Sequence, residues 1–418
     1  MKSVLFFSFF IFLLSVTFTS CIKDDCTSMV EVTHAEPIIV TADEFRVDIT
    51  SDADHPLEEA GKIYVYGNLL LINDLNKGIH VVDNTQPENP QFINFIGIRG
   101  NVDMAVRGNY LYADSYSDLL TIDVSDWMNP FLLHREEDVF RLHGWRDEGL
   151  VVGYTYETEY VEVDCNNQWR GGFLPFADQE SASWDASGPS GFGNQNVQGQ
   201  AGSMARFGIV SNHLYAIDDR SIHVFGLTNP GLPDNLNKVD VDWGGIETLF
   251  PYQQYLFIGG NTGMYIYDNS NPSAPVYLSQ FSHANACDPV FASGNRAYVT
   301  LRNGNQCINA ENQLDVLDIS NISNPKLIKS YPMANPHGLS VIEANLFLCD
   351  GEAGLKIFDV TDDHQIDKNQ LAHVKGGHTY DVIALGSDHI IVTGEKGIRQ
   401  YDTSDKRAPR ELSYLPIR

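Results

Sequence analysis

Short apolar runs follow one another along most of the chain, separated by clusters of Gly, Asn, Asp and Pro. Tyr110-Leu111-Tyr112-Ala113, Tyr255-Leu256-Phe257-Ile258 and Asn345-Leu346-Phe347-Leu348 are representative. β-Branched and aromatic residues dominate these runs, which suits a pleated, half-buried surface. The residues between them supply turn geometry. No stretch places apolar residues at helical spacing, so the pattern predicts strands throughout. Equivalent runs start after Asn68, Asn109, Glu148, Asn212, Gln254, Asn295, Asn345 and Asp388. Most of these points lie about 40 to 45 residues apart, the period of a four-stranded propeller blade.

A second phrase repeats within the same period. It reads Ile79-His80-Val81-Val82-Asp83-Asn84-Thr85 with Pro90, and Leu120-Thr121-Ile122-Asp123-Val124-Ser125-Asp126 with Pro130. It returns as Tyr265-Ile266-Tyr267-Asp268-Asn269-Ser270-Asn271 with Pro275. Leu314-Asp315-Val316-Leu317-Asp318-Ile319-Ser320-Asn321 with Pro325, and Ile398-Arg399-Gln400-Tyr401-Asp402-Thr403-Ser404-Asp405 with Pro409, complete the series. The fold expected is all-β, an eight-bladed β-propeller of four-stranded blades over residues 59–418. The third repeat shows no fourth strand, and without it the count is seven blades. The wide gap after Glu148 holds an insertion at about 165–203, rich in Gly, Ser, Asn and Gln, that reads as a flexible loop. A smaller insertion falls around Gly304 to Asn312.

The phrase Leu-x-Val-Ile-Asp-x-Ser-(Asp/Asn), followed by Pro, resembles the LVIVD repeat of bacterial and archaeal surface proteins. Gly78-Ile79-His80-Val81-Val82-Asp83 and Gly354-Leu355-Lys356-Ile357-Phe358-Asp359 carry it well. The resemblance implies a propeller and brings no activity with it. Propellers host enzymes and scaffolds alike, so function has to be argued from a site.

The N-terminus changes the picture of where such a fold would work. Lys2 precedes an apolar run from Val4 to Val16, too short to span a bilayer comfortably. Residues 1–20 read as a lipoprotein signal peptide. Phe18-Thr19-Ser20-Cys21 resembles a lipoprotein box, with Cys21 as the lipidated residue. Ile22-Lys23-Asp24-Asp25 resembles the export signal of Bacteroidetes-type surface lipoproteins. Residues 21–58 then form a lipid anchor and tether, in which Ile38-Ile39-Val40 and Phe45 to Ile49 look strand-like. The expected location is the outer membrane, facing the cell exterior. With 27 basic and 55 acidic residues, a formal charge of −28, nucleic acid is not an expected partner. An oxidising compartment permits disulfides. Of the 6 cysteines, Cys287 and Cys307 lie within one repeat and are the expected pair. Cys349 reads as a buried small hydrophobe.

The repeated aspartate precedes a Ser/Thr-Asn/Asp turn, where its side chain suits backbone capping. The innermost strand offers sharper chemistry, because its first residues face the channel mouth. Those positions are Lys62, Asp103, His143, Arg206, Glu247, Asp288, His337 and Asp381, all polar or ionisable. Such a ring can bind a polar ligand or a cation such as calcium, or perform acid–base work, and it can equally be a set of charges paired across a channel. Arg206, His337 and Asp103 each open an apolar strand and are the first candidates for ligand contact. No other cofactor is expected. Gly188-Pro189-Ser190-Gly191 lies in the insertion and is no nucleophile elbow. The histidines match no zinc spacing. The preferred reading is a non-catalytic binding or scaffold propeller, its ligand a glycan or protein at the channel mouth. The alternative is a hydrolase or lyase using the channel residues.

Overall fold

The computed structural model describes residues 27–140, 144–164, 199–241, 245–282, 289–303 and 311–417. Among these residues eight antiparallel sheets form, one for each sequence repeat. Repeat 1 runs Ala60–Tyr66, Leu69–Asp74, Gly78–Asp83 and Gln91–Gly97, each strand paired with the next. Repeat 2 spans Met104–Glu136, and repeats 4 to 8 span Phe207–Asp240, Ile246–Ser282, Val290–Pro332, Leu339–Val374 and Thr379–Pro416. All have the same four-strand order.

Inner strands of successive repeats touch, from repeat 1 to 2, then directly to 4, and onward to 8. Repeat 8 returns to repeat 1 through its second strand, His389–Gly394. This closed ring is the propeller that the period predicts, and closure leaves only short outer edges for unwanted pairing. Among the described residues, seven four-stranded blades surround the axis. Repeat 3 supplies the eighth sheet in a different form. It has three strands, ordered Thr27–Val40, Gly149–Asp164, Gly144–Arg146. The apolar runs 150–153 and 160–164, expected as separate second and third strands, lie in the one continuous strand Gly149–Asp164, and Thr27–Val40 pairs with it in place of a third strand of the repeat.

Residues 27–38 and 153–164 form a compact body by themselves. It is a two-stranded ribbon with cross-strand contacts between Thr33 Oγ1 and Thr158 Oγ1 (3.2 Å) and between His34 Nε2 and Glu159 (3.0 Å). The propeller lies in the second body, residues 39–152 with 199–417.

Burial follows the strand pattern. Second and third strands are almost wholly enclosed: Leu70, Leu71, Ile72, Ile79, Val81 and Val82 are each 0 % exposed. In all seven blades the third and fourth strands pair with a one-residue slip, as at Val81/Val82, Ile266/Tyr267 and Gln400/Tyr401. A bulge at one fixed place adds twist in every blade.

The tether carries more strand than expected before residue 41 and less after it. The strand Thr27–Val40 takes in Ile38 to Val40, whereas Phe45 to Ile49 form no strand: Ala42–Phe45 is a helical turn, and Thr50–Ser51 then adds a short strand on the outer edge of repeat 1. Arg46 explains the bend. Its guanidinium makes two bonds to buried Asp118, at 2.9 and 3.0 Å, and Phe45 is buried against Tyr116. That bidentate anchor is stronger than one more ladder bond.

Candidate functional site at the channel mouth

Inner strands bring the predicted ionisable residues toward one axis, and the structure ties them to each other. Lys62 Nζ lies 2.9 Å from Asp103 Oδ2, with both side chains buried. The same Oδ2 accepts the Arg206 N–H at 2.6 Å and the Phe207 N–H at 3.2 Å. Asp103 Oδ1 accepts the Met104 N–H at 2.7 Å. Burial drives the Lys62 ammonium and the Arg206 guanidinium down, and neighbouring carboxylates oppose it. Burial lifts Asp114 to about 6, although its Oδ1 accepts N–H bonds from Val102 and Asp103. These groups therefore form a buried, hydrogen-bonded network at the heart of the ring. Removing one member would leave another charge stranded.

The expected flexible insertion ends inside this channel. Residues 165–198 lie outside the described residues, but 199–206 thread along the axis. Gln200 and Ala201 pair with Val65 and Tyr64, adding a strand to the inner edge of repeat 1. Gln200 Nε2 donates to the Ala384 carbonyl of repeat 8 at 2.9 Å. Ser203 Oγ accepts the Leu339 N–H of repeat 7 at 2.7 Å and lies 3.3 Å from Asp381 Oδ1. The Leu249 N–H of repeat 5 donates to the Ala205 carbonyl at 2.7 Å. This arm satisfies inner-strand backbone groups that have no neighbour within their own blade. Gly202 and Gly338 are needed beside it, because a Cβ on either would overlap the Asp381 carboxyl. Asp381 is 1 % exposed, its Oδ2 has no hydrogen-bond partner, and burial pushes it up to about 8, so it is mostly protonated at neutral pH.

Above the arm, repeats 6 to 8 bring a second group together. His337 Nε2 lies 3.1 Å from His378 Nε2, and the Tyr380 ring sits 5.7 and 4.8 Å from the two imidazoles. His337 is buried, and that burial holds it well below the usual histidine range, with Arg302 the next cause. Its Nδ1 is buried without a hydrogen-bond partner. Arg302 follows the strand Arg296–Leu301, whose Thr300 Oγ1 donates to the His337 carbonyl at 2.7 Å. His378, Tyr380 and Arg302 are half-buried. Sequence reasoning selected His337 and passed over these three. Their signal was faint: His378 and Tyr380 flank the inner-strand start that yields Asp381, one blade on from His337.

Glu247 opens the inner strand of repeat 5 and is half-buried. His143 and Asp288 lie outside the described residues, as do Cys21 and the proposed Cys287–Cys307 pair. Cys349 is fully buried, as its apolar strand implied. Among the described residues, no group of three or more His, Cys, Asp or Glu side chains is placed to hold a metal ion.

The family model for the LVIVD repeat matches residues 59–94, 100–135, 252–282 and 285–332. The chain carries LVIVD repeats. No curated protein matches it in sequence. Among solved structures, this LVIVD-repeat protein is similar to the computationally designed Ika8 protein, with TM-score 0.51, 10 % identity, 87 % of this chain and 88 % of that one covered. It is similar also to BamB from Moraxella catarrhalis, with TM-score 0.50, 9 % identity, 90 % of this chain and 97 % of that one. At such identity the likeness speaks to fold.

The LVIVD aspartate itself is a turn cap. Asp83 Oδ1 accepts the Thr85 N–H at 2.9 Å and its hydroxyl at 2.6 Å. Asp123, Asp268, Asp318, Asp359 and Asp402 make the same bond to the residue two ahead. Hydrogen bonds to the charged form hold Asp402 down at about 2. A further aspartate, outside the signature, ends the second strand in several repeats. Asp74 accepts the N–H groups of Glu58 and Glu59, Asp114 those of Val102 and Asp103, and Asp350 those of Ala334 and Asn335. These carboxylates hold the loop that delivers each inner strand to the axis.

Proposed function

We propose that this LVIVD-repeat propeller is a non-catalytic binding protein that takes a glycan or protein ligand at the channel mouth, over repeats 6 to 8. The observation that carries this is His337 Nδ1, a buried imidazole nitrogen without a partner, beside the half-buried His378 and Tyr380. Leaving such an atom unpaired costs about 1–3 kcal/mol, which a bound polar group recovers. The Tyr380 ring adds an apolar face suited to a sugar or an aromatic side chain. Below, the arm occupies the axis, so the ligand rests on the mouth and Lys62, Asp103 and Asp381 support the ring. Glycan-array and peptide-array binding of the full chain, compared with His378→Ala and Tyr380→Ala, tests this. Loss of binding in both variants is expected, and unchanged binding in both would remove the mouth as the site.

A second reading, a hydrolase or lyase, draws on the same imidazole pair, since a neutral His337 within 3.1 Å of His378 can accept a proton. Turnover of a bound glycan that disappears in His337→Gln would favour it over pure binding. The leader from Lys2 to Cys21 and the cluster Lys23-Asp24-Asp25 support placing the protein on the outer membrane facing outward; labelled palmitate incorporation lost in Cys21→Ala tests the lipid anchor, and protease shaving of intact cells tests the outward face.

A further inference from the structure

We infer that a cleft between the tether and repeats 1 and 2 binds a small zwitterion, an α-amino acid with an apolar side chain. The cleft holds about 280 Å³, near the lower end of small-molecule sites, and shares no residue with the channel mouth. One wall is the tether from Phe45 to His55, and it is fixed at four points. Arg46 is bonded to Asp118, and Arg99 Nη1 donates to the Glu44 carbonyl at 2.6 Å. Arg135 Nη2 donates to the Val47 carbonyl at 2.8 Å, and Thr50 and Ser51 pair with Gly97 and Ile96. The cleft is therefore formed before a ligand arrives, which lowers the ordering cost of binding. The opposite wall is largely apolar: Phe95, Ile98 and Leu120 line it and are buried. His55 stacks on Phe95 with ring centroids 3.9 Å apart, so the two walls meet in an aromatic pair.

The charges around the cleft decide the ligand. Two of its cations are already neutralised. Lys77 Nζ lies 2.7 Å from Glu58 and 3.6 Å from Asp74, and Arg135 Nη1 lies 3.2 Å from Asp118. Arg99, Asp48 and Asp52 are exposed and form no ion pair among the described residues. Asp48 Oδ1 accepts the Ile49 N–H at 2.9 Å, and Asp52 Oδ1 accepts the Asp54 N–H at 3.1 Å, which leaves the second oxygen of each for a ligand. The Glu44 carboxylate feels Arg99 but is itself held by Thr41 through bonds of 2.7 and 2.8 Å. The rim thus offers both signs. A guanidinium fork matches a carboxylate, and a carboxylate pairs with an ammonium. An acid alone would bring its charge beside Asp48 and Asp52, and an amine alone would bring its charge beside Arg99. A zwitterion answers both, and its apolar side chain covers Phe95, Ile98 and Leu120. Being neutral overall, it is also not repelled by a chain of −28.

The test is NMR titration of the full chain with L-phenylalanine, 3-phenylpropionate, 2-phenylethylamine and glycine. The last three lack, in turn, the ammonium, the carboxylate and the apolar side chain. L-Phenylalanine is expected to bind at millimolar concentration or below, and each of the others at least tenfold more weakly. Arg99→Gln should weaken L-phenylalanine at least tenfold and should not weaken 2-phenylethylamine, which also shows that the cleft is intact. The double variant Asp48→Asn with Asp52→Asn should weaken L-phenylalanine and should not weaken 3-phenylpropionate. Equal affinity for L-phenylalanine and either single-charge probe would overturn the zwitterion assignment. Equal weakening of every probe by Arg99→Gln would make that residue a support of the tether and overturn its contact with the ligand. No saturable binding of L-phenylalanine, or binding that both variants leave unchanged, would overturn the cleft as a site.

Discussion

Asp381 should make the fold weaken as pH rises, and Asp381→Asn should abolish that dependence. The carboxyl is fully enclosed between Gly202 and Gly338, and burial raises it from 3.8 to about 8. The folded state therefore holds the proton more tightly than the unfolded chain. Its contribution is neutral below about pH 4, turns unfavourable between pH 4 and 8, and is level above 8. Each pH unit within that window costs about 1.4 kcal/mol, so the loss between pH 5 and 8 is about 4 kcal/mol. Relaxation and water entry would reduce this to no less than roughly half. Asparagine has nearly the same shape and cannot ionise. Urea unfolding of both proteins at pH 5, 6, 7 and 8 gives the difference directly, and comparison with the variant cancels the other titrating groups. Wild type should lose about 2–4 kcal/mol relative to the variant across the range. Parallel stability curves would show that Asp381 ionises without penalty and that the arm does not seal it from water.

Gly202→Ala should destabilise by about 1–3 kcal/mol through overpacking against Asp381, and thermal melts of it beside Gly202→Ala with Asp381→Gly should show recovery in the double variant. Lys62→Met strands the Asp103 carboxylate among backbone donors and should cost about 3–5 kcal/mol in urea; a cost below 1 would mean the pair is hydrated. Arg46→Ala removes both bonds to Asp118, so limited proteolysis should begin cutting between residues 41 and 58 while the rest of the propeller persists. Carbon-detected NMR titration should find the Asp402 carboxyl changing near pH 2 and Asp381 near pH 8; a shared midpoint near 4 would refute both environments.

The repeat made the blades legible because its information is local. A strand, a turn and an aspartate cap lie within one period, and Asp83, Asp268 and Asp402 perform the capping that their neighbours Thr85, Ser270 and Ser404 announce. The inner-strand positions were legible for the same reason, and Lys62, Asp103 and Arg206 do meet at the axis. What escaped was set by distance along the chain. Gln200 finds Val65 at a separation of 135 positions (200 − 65), and no local pattern marks a Gly/Ser/Asn-rich segment as the one that enters a channel. The Thr27–Val40 strand joins repeat 3 across a similar gap. His378 escaped because repeat alignment compares equivalent positions, and the partner of His337 stands three residues ahead of the equivalent one.

The arm also sets the order in which this protein can be completed. Residues 200–206 need Val65 on one side and Leu339, Asp381 and Ala384 on the other. A ribosome delivers the first of these long before the last. The early blades must therefore wait with a polar strand end in hand until the final forty or so residues emerge. A chain truncated before repeat 8 would lose more than one blade's packing. It would leave the central thread without its far anchor, and the defect would be felt at repeat 1.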